Sequence, residues 1–439
     1  MQPLNLKPVG IGVIGLGNVG SGTLTILAET ADQIASKLGF PLRVVAVCSR
    51  NVTAKNIPAA LGDVQQTTDW RQVVDNPEVE IVAELVGGTT VAREIFEAAS
   101  AKGKSVVTAN KELMALCGAE LYEKAIAARI NIAMEASVAG GIPIHAVLRE
   151  GISGDRINTL YGILNGTCNY ILTEIEQRGA SFESVLKEAQ DAGYAEADPS
   201  ADVDGYDARS KLAILSALAF GERIVPSDIY TEGIRRVSPI DFDYAHMLHH
   251  TIRLVCAARQ TSDGLLLSVR PSLLPQSTIL ASVRGPYNAV WVKGHYGADT
   301  FYYGRGAGPH PTGVAVVSDL MRVAREIRSG SPERVSPFAH ARLGEYLPIS
   351  ITLNKSAYYL RFRVKDRPGI IAALSSALAA ENISLDAVLQ LPHGNPDDLH
   401  FVITTLAAPE KSVRAALARM EGLDFLIEPP LAMPIEGSL

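Results

Sequence analysis

The stretch VGIGVIGLGNVGSGTLTILAE, beginning at Val9, constrains the fold more than any other part of the chain. A short β-branched run leads into the turn GLGNVG, from Gly15 to Gly20, and an apolar helical period follows it. Gly15, Gly17 and Gly20 form the pattern GxGxxG. The first glycine permits a tight turn, the second lets backbone approach a pyrophosphate, and the third allows close packing of helix on strand. The helix N-terminus behind the turn favours an anion. Alone the pattern also describes structural turns; between a strand and a helix it specifies dinucleotide binding, with Asn18 and Val19 completing the contacting turn. LRVVAVCSR and VEIVAELVGG read as further strands, with helical periodicity in TTVAREIFEAAS and another strand before TANK. Strands alternating with helices predict a Rossmann-type parallel sheet wound in βαβ units over residues 1–135.

The second strand bears on cofactor choice. An acidic residue at its end would hold the ribose hydroxyls of NAD, but this chain has Ser49 and Arg50. An arginine there pairs with a 2′-phosphate, which favours NADP over NAD. A solvated surface arginine is the other reading of the same position.

From residue 136 to 310 the pattern changes. Short strands in INTLYGIL, GLLLSVRPSLL and AVWVKGHYG mix with long helices expected at 207–220 and 242–260. This predicts an α+β second domain, and the family resemblance described below implies that it is the catalytic and dimerisation domain. Residues 311–330, within TGVAVVSDLMRVAREIRSG, are expected to return as a helix onto the first domain. A Ser- and Pro-rich stretch at 331–355 reads as a linker. Residues 356–430 then give strand, helix, two strands, helix and a last strand in FLIEPP, a ferredoxin-like βαββαβ module. The fold class is therefore α/β, in three parts.

A net charge of −7 without a basic block argues against nucleic-acid binding. No apolar run reaches the roughly 18–20 residues that span a bilayer, so no membrane association is expected. The N-terminus lacks the layout of a signal peptide. Cys48, Cys117, Cys168 and Cys256 are scattered without a CxxC pair, which speaks against structural zinc and a disulfide framework and suits a reducing cytoplasm.

The run YAEADPSADVDGYDARSK places Glu196, Asp198, Asp202, Asp204 and Asp207 ahead of Arg209 and Lys211, just before the apolar LAILSALAF. Asp207 and Lys211 are spaced i, i+4 and share a helix face. By spacing alone they make an ordinary ion pair worth roughly 0.3–0.5 kcal/mol. In a dehydrogenase the pair reads differently. Hydride transfer to a carbonyl creates an alkoxide that needs a positioned proton donor or cation, and a lysine serves as both. The surrounding carboxylates would hold a substrate ammonium. Lys111, in TANK at the end of a parallel strand, is a second candidate, because ligands of open α/β sheets bind at the carboxyl ends of the strands.

GLGNVG, TANK, EASVAGGIP, GILNGTCNYIL, GYAEADPSADVDGYDARSKLAIL and YGRGAGPHPTG occur in one order, and DRPGIIAALSSALAAENISL follows them. The chain resembles the homoserine dehydrogenase family, in its monofunctional form with a C-terminal ACT regulatory domain. The resemblance implies NAD(P)-dependent interconversion of L-aspartate 4-semialdehyde and L-homoserine, within threonine, methionine and isoleucine biosynthesis. It implies that Lys211 is the catalytic proton donor and that Lys111 lies beside cofactor and reacting oxygen. Glu196 and Asp207 match substrate-binding positions, with Asp202, Tyr194 and Thr167 as further contacts. Gly193 and Gly308 match cofactor-contacting glycines. EASVAGGI matches a sodium-binding loop, in which Glu135, Val138, Gly140 and Ile142 would hold the ion largely through backbone carbonyls. The ACT domain implies feedback control, with threonine as effector, and the assembly implied is a homodimer or homotetramer. Two features depart from the family pattern: Cys168 replaces a hydroxyl residue, and Pro309 and His310 enter a usually glycine-rich loop.

Overall fold

In the N-terminal segment the apolar, β-branched runs become buried parallel strands, because helices cover both faces of their sheet. The computed structural model describes residues 7–193, 195–330, 336–391 and 395–437. Tyr194, expected to contact substrate, lies outside the described residues, as do positions 331–335 of the expected linker. The chain divides into two compact units, one of Met1–Leu160, Ser210–Ser227 and Asn288–Tyr346, the other of Tyr161–Arg209, Asp228–Tyr287 and Leu347–Leu439.

The first unit holds strands β1 (Val9–Ile14), β2 (Leu42–Cys48), β3 (Gln65–Thr67), β4 (Ile81–Glu84), β5 (Ser105–Thr108) and β6 (Ile132–Ala133). Their order is β3-β2-β1-β4-β5-β6, parallel throughout. The winding reverses between β1 and β4, and the crevice at their carboxyl ends is where such sheets take ligands. Helices α1 (Asn18–Glu29), α2 (Ala31–Leu38), α3 (Trp70–Asp75), α4 (Thr90–Ala101) and α5 (Lys111–Ala128) connect the strands. The helix Pro309–Arg328 belongs to the same core: Val316, Leu320 and Val323 are fully buried in one cluster with Val13, Leu24 and Ile81. Burying each such side chain contributes roughly 1.5–3 kcal/mol. That helix touches α1 backbone to backbone. A Cβ on Gly22 would lie 2.2 Å from the Pro309 carbonyl oxygen, so the crossing tolerates no larger residue.

In the second unit the strands His250–Thr261 and Gly264–Pro275 form a long antiparallel hairpin, paired from Thr261↔Gly264 to His250↔Pro275. A helix over 242–260 was expected here. The helix is shorter, Pro239–Met247, and ends before His249 in a left-handed conformation (φ 59°). Residues Thr251 to Ala258 are all buried, so neither strand alternation nor helical period shows in the sequence.

The C-terminal strands are ordered Leu431–Ile435, Lys355–Val364, Leu399–Thr405 and Leu385–Gln390, with helices Ile370–Ala380 and Glu410–Met420. This is the ferredoxin-like βαββαβ arrangement. Its last strand is not FLIEPP: Pro429 and Pro430 offer no N–H to a ladder, and the strand begins after them at Leu431. The core of the module includes Leu360, Phe362, Leu374 and Phe401, with the two phenylalanine rings stacked 5.3 Å apart. Buried ion pairs join it to the rest of its unit, Arg361 with Asp241 and Arg270 with Glu410. The strand Leu431–Ile435 meets Gly264–Pro275 in parallel at Leu273↔Ile435.

Candidate active site

The glycine turn has the geometry that its residue types require. Gly15 adopts φ 102°, and a Cβ there would stand 2.4 Å from the Leu85 carbonyl oxygen. A Cβ on Gly20 would stand 2.0 Å from the carbonyl oxygen of Gly15. Gly17 differs: it caps α1, and nothing lies within 4 Å of where its Cβ would be. That open side is where a pyrophosphate can approach the backbone, and no acidic residue in the first turn of α1 opposes it. Asn18 is exposed and Val19 half-buried; Arg50, two residues past β2, is exposed.

At the carboxyl ends of β4 and β5 a buried polar group organises the neighbouring loops. The Glu84 carboxylate is fully buried and accepts the Thr108 hydroxyl (2.7 Å) and the Val86 N–H (2.9 Å). Burial pushes the Glu84 carboxyl up, and these hydrogen bonds oppose the shift. Asn110 caps α5 by accepting the Leu113 N–H, and its amide donates to the Gly88 carbonyl (2.6 Å). The Gly87–Gly88 turn, left-handed at both residues, is thereby held against the start of α5, whose first residue is Lys111. None of Glu84, Thr108 or Asn110 was singled out from the sequence; Asn110 had a signal, as an N-cap ahead of a helix.

Lys111 and Lys211 line one cavity of about 230 Å³, together with Gly88, Asn110, Ser137, Gly140, Gly306 and Thr312. Lys211, on the helix Tyr206–Phe220, is only 9% exposed. Two amines in a small cavity at the carboxyl ends of a dinucleotide-type sheet can give and take a proton and stabilise an oxyanion.

The acidic run sorts into two kinds of carboxylate. Asp204 pairs with Arg235, and Asp198 accepts the Ser200 N–H at 3.1 Å, so both hold local structure. Asp202 and Asp207 converge instead on Asn165, whose amide nitrogen donates to Asp202 (2.7 Å) and Asp207 (2.8 Å). Asn165 also caps the helix Gly166–Arg178 by accepting the Cys168 N–H. It was missed in the sequence, although it opens NGTCNYIL as an N-cap. Glu196 is exposed, Thr167 half-buried, and Gly193 left-handed (φ 75°) after the helix Phe182–Asp191. Cys168 directs its sulfur at the Asp202 carbonyl, 3.1 Å away. Gly308, at φ 125°, caps the helix whose first residues are Pro309 and His310, a position that suits proline; His310 is exposed.

The EASVAGGI loop turns through left-handed Ala139 (φ 55°) and Gly140 (φ 39°). Glu135 accepts the His145 N–H (2.9 Å) and Ala146 N–H (2.8 Å), while its own N–H donates to Asp319. Burial and then Asp319 push the Glu135 carboxyl up to about 7. Val138 and Ile142 are buried, and the Ile142 carbonyl accepts the Ile144 N–H. Carboxylate and carbonyl oxygens are hard donors, of the kind a hard cation takes. Among the described residues no group of three or more His, Cys, Asp or Glu could hold a metal, and no helix is long and apolar enough to cross a membrane.

A Rossmann-type sheet with this glycine turn, a lysine-lined cavity at its strand ends and a C-terminal ACT module define an oxidoreductase of the NAD-binding class. Residues 15–135 match the family described as homoserine dehydrogenase, NAD binding domain; residues 143–321 match homoserine dehydrogenase, and residues 358–425 the ACT domain. The chain is 40% identical over 434 residues to homoserine dehydrogenase of Pseudomonas aeruginosa, covering 98% of this chain and 99% of that one. Its fold matches the crystal structure of a homoserine dehydrogenase from Thiobacillus denitrificans with a TM-score of 0.91 at 43% identity, over 98% and 99% of the two chains. A hyperthermophilic archaeal homoserine dehydrogenase in complex with NADPH matches with a TM-score of 0.61 at 26% identity, over 72% of this chain and 98% of that one. The chain belongs to the homoserine dehydrogenase family.

Proposed function

We propose that the protein interconverts L-homoserine and L-aspartate 4-semialdehyde, with NADP favoured over NAD, in the cytoplasmic synthesis of threonine, methionine and isoleucine. The observation that carries this reading is the pair Lys111 and Lys211 in one cavity. The bound nicotinamide supplies the hydride acceptor or donor. In oxidation the Lys211 amine takes the hydroxyl proton as the carbinol carbon becomes a carbonyl, and in reduction it returns that proton. Lys111 stabilises the negative charge that develops on the same oxygen. Glu196 and Asp207 take the substrate ammonium, with Asp202, Tyr194 and Thr167 as further contacts. The dinucleotide is assigned to Gly15, Gly17, Asn18, Val19, Gly20, Arg50, Lys111, Gly193 and Gly308, and sodium to Glu135, Val138, Gly140 and Ile142.

The test follows NADPH and NADH formation from L-homoserine by purified protein. Turnover with neither cofactor, in folded protein supplied with sodium, would sink the reading. Arg50 sets the expected preference: losing a charge-assisted contact to the 2′-phosphate in Arg50→Ala lowers kcat/KM with NADP by about 10-fold or more and leaves NAD within about twofold. An unchanged ratio removes Arg50 from the cofactor site. In the same assay, choline in place of sodium lowers the rate and L-threonine inhibits; no response to one or the other rejects that part. Light scattering distinguishes the expected homodimer or homotetramer from a monomer.

A further inference from the structure

The segment 336–346, part of the first unit, is laid against that unit's helices. Phe338 is 2% exposed. Its ring stands edge-on to Tyr122 of α5, with centroids 5.9 Å apart. A Cβ on Gly118 of α5 would lie 3.1 Å from the ring, so the glycine makes room for it. Phe338 and Leu343 line a cavity of about 240 Å³ whose other walls include Met114 and Gly118 from α5, and Ile214 and Ala217 from the helix Tyr206–Phe220. His340 closes over the end of that helix. Its Nε2 is 3.1 Å from the Leu218 carbonyl, and its ring fills the space a side chain on Gly221 would need. Gly344 completes the attachment, donating to the Gly221 carbonyl and accepting the Arg223 N–H, both at 2.8 Å.

The two helices held in this way are the ones that carry the lysines. Lys111 opens α5 and Lys211 lies in Tyr206–Phe220, and Met114 and Ile214 each follow their lysine by three residues. We propose that Phe338 is a positioning residue for the reaction: it wedges α5 and Tyr206–Phe220 at the spacing that places both amines in one cavity. The proposal rests on the catalytic reading of those lysines.

The experiment compares wild type, Phe338→Ala and Phe338→Leu in the full chain. Turnover is expressed per bound dinucleotide, so that loss of folded protein does not register. In Phe338→Ala, kcat for homoserine oxidation falls by about 10-fold, the cost of a misplacement of a fraction of an ångström, while KM and dinucleotide Kd move less than about twofold. Phe338→Leu recovers most of the loss. Amide hydrogen exchange quickens in 111–122 and in 211–220 together. A kcat per site within twofold of wild type in Phe338→Ala, or quickened exchange confined to 336–346, overturns the proposal. If wild type binds dinucleotide but does not oxidise homoserine, the proposed function fails instead. The exchange result then decides the wedge alone: both helices quickened supports it, neither rejects it.

Discussion

Replacing Lys211 by alanine is expected to lower kcat/KM for homoserine by about 1,000-fold or more, with dinucleotide affinity unchanged, because general acid–base catalysis contributes about 10²–10⁴-fold and an oxyanion contact adds to it. The size follows from where the amine sits. Lys211 is 9% exposed in a cavity of about 230 Å³, so bulk water does not take over its role. Two further outcomes separate proton transfer from simple charge. Lys211→Arg keeps the cation but cannot release a proton near neutral pH, so it recovers at most the smaller, oxyanion part of the loss. A small primary amine, entering the space left by Lys211→Ala, restores part of the rate with a dependence on its own basicity. Steady-state rates at saturating cofactor measure all three. A loss of less than about tenfold in Lys211→Ala would leave the lysine outside the chemistry, as an ordinary helical cation.

What could be read in advance was local. GLGNVG announces its own backbone geometry, because Gly15 and Gly20 are fixed by contacts within one strand–turn–helix unit and with the adjoining strand end. The helix carrying Asp207 and Lys211 is likewise continuous in the chain. What escaped reading depends on partners far away in sequence. Glu84 and Thr108 are ordinary strand-end residues until β4 and β5 lie side by side. Asn165 matters because Asp202 and Asp207, about forty residues on, return to it. Within the acidic run, Asp198 and Asp204 hold a turn and an arginine, roles that the composition of the run does not reveal. The strand at 250–261 passed for a helix because burial on both faces erases the period that distinguishes them. Phe338 sat in a stretch whose serines and prolines suggested only a tether.

Arg253→Met is expected to destabilise the protein by about 3–5 kcal/mol at neutral pH, the cost of stranding a buried charge. Arg253 is fully buried, and its guanidinium donates to Glu176 (2.9 Å), to the Thr251 hydroxyl and to the carbonyls of Ile252, Ala281 and Val283. Methionine fills similar space but leaves Glu176 without its cation. Burial pushes the Glu176 carboxyl up, yet Arg253, Thr251 and His246 hold it below its ordinary 4.5. The wild-type pair therefore stabilises fully above that ordinary value and loses its contribution as pH falls through the depressed one. In Arg253→Met the ion pair is gone and burial dominates, so the carboxyl titrates above the ordinary value. The variant's deficit then shrinks as pH falls through that raised value, where protonation removes the stranded charge in the variant, and is largest at neutral pH. Adding Glu176→Gln removes the stranded charge and recovers most of the loss at neutral pH while changing little in acid. Chemical denaturation of the three proteins at about pH 5 and pH 7.5 reads these differences directly. A deficit equal at both pH values would mean that lost packing around the long Arg253 side chain, and not the charge on Glu176, is what the fold depends on.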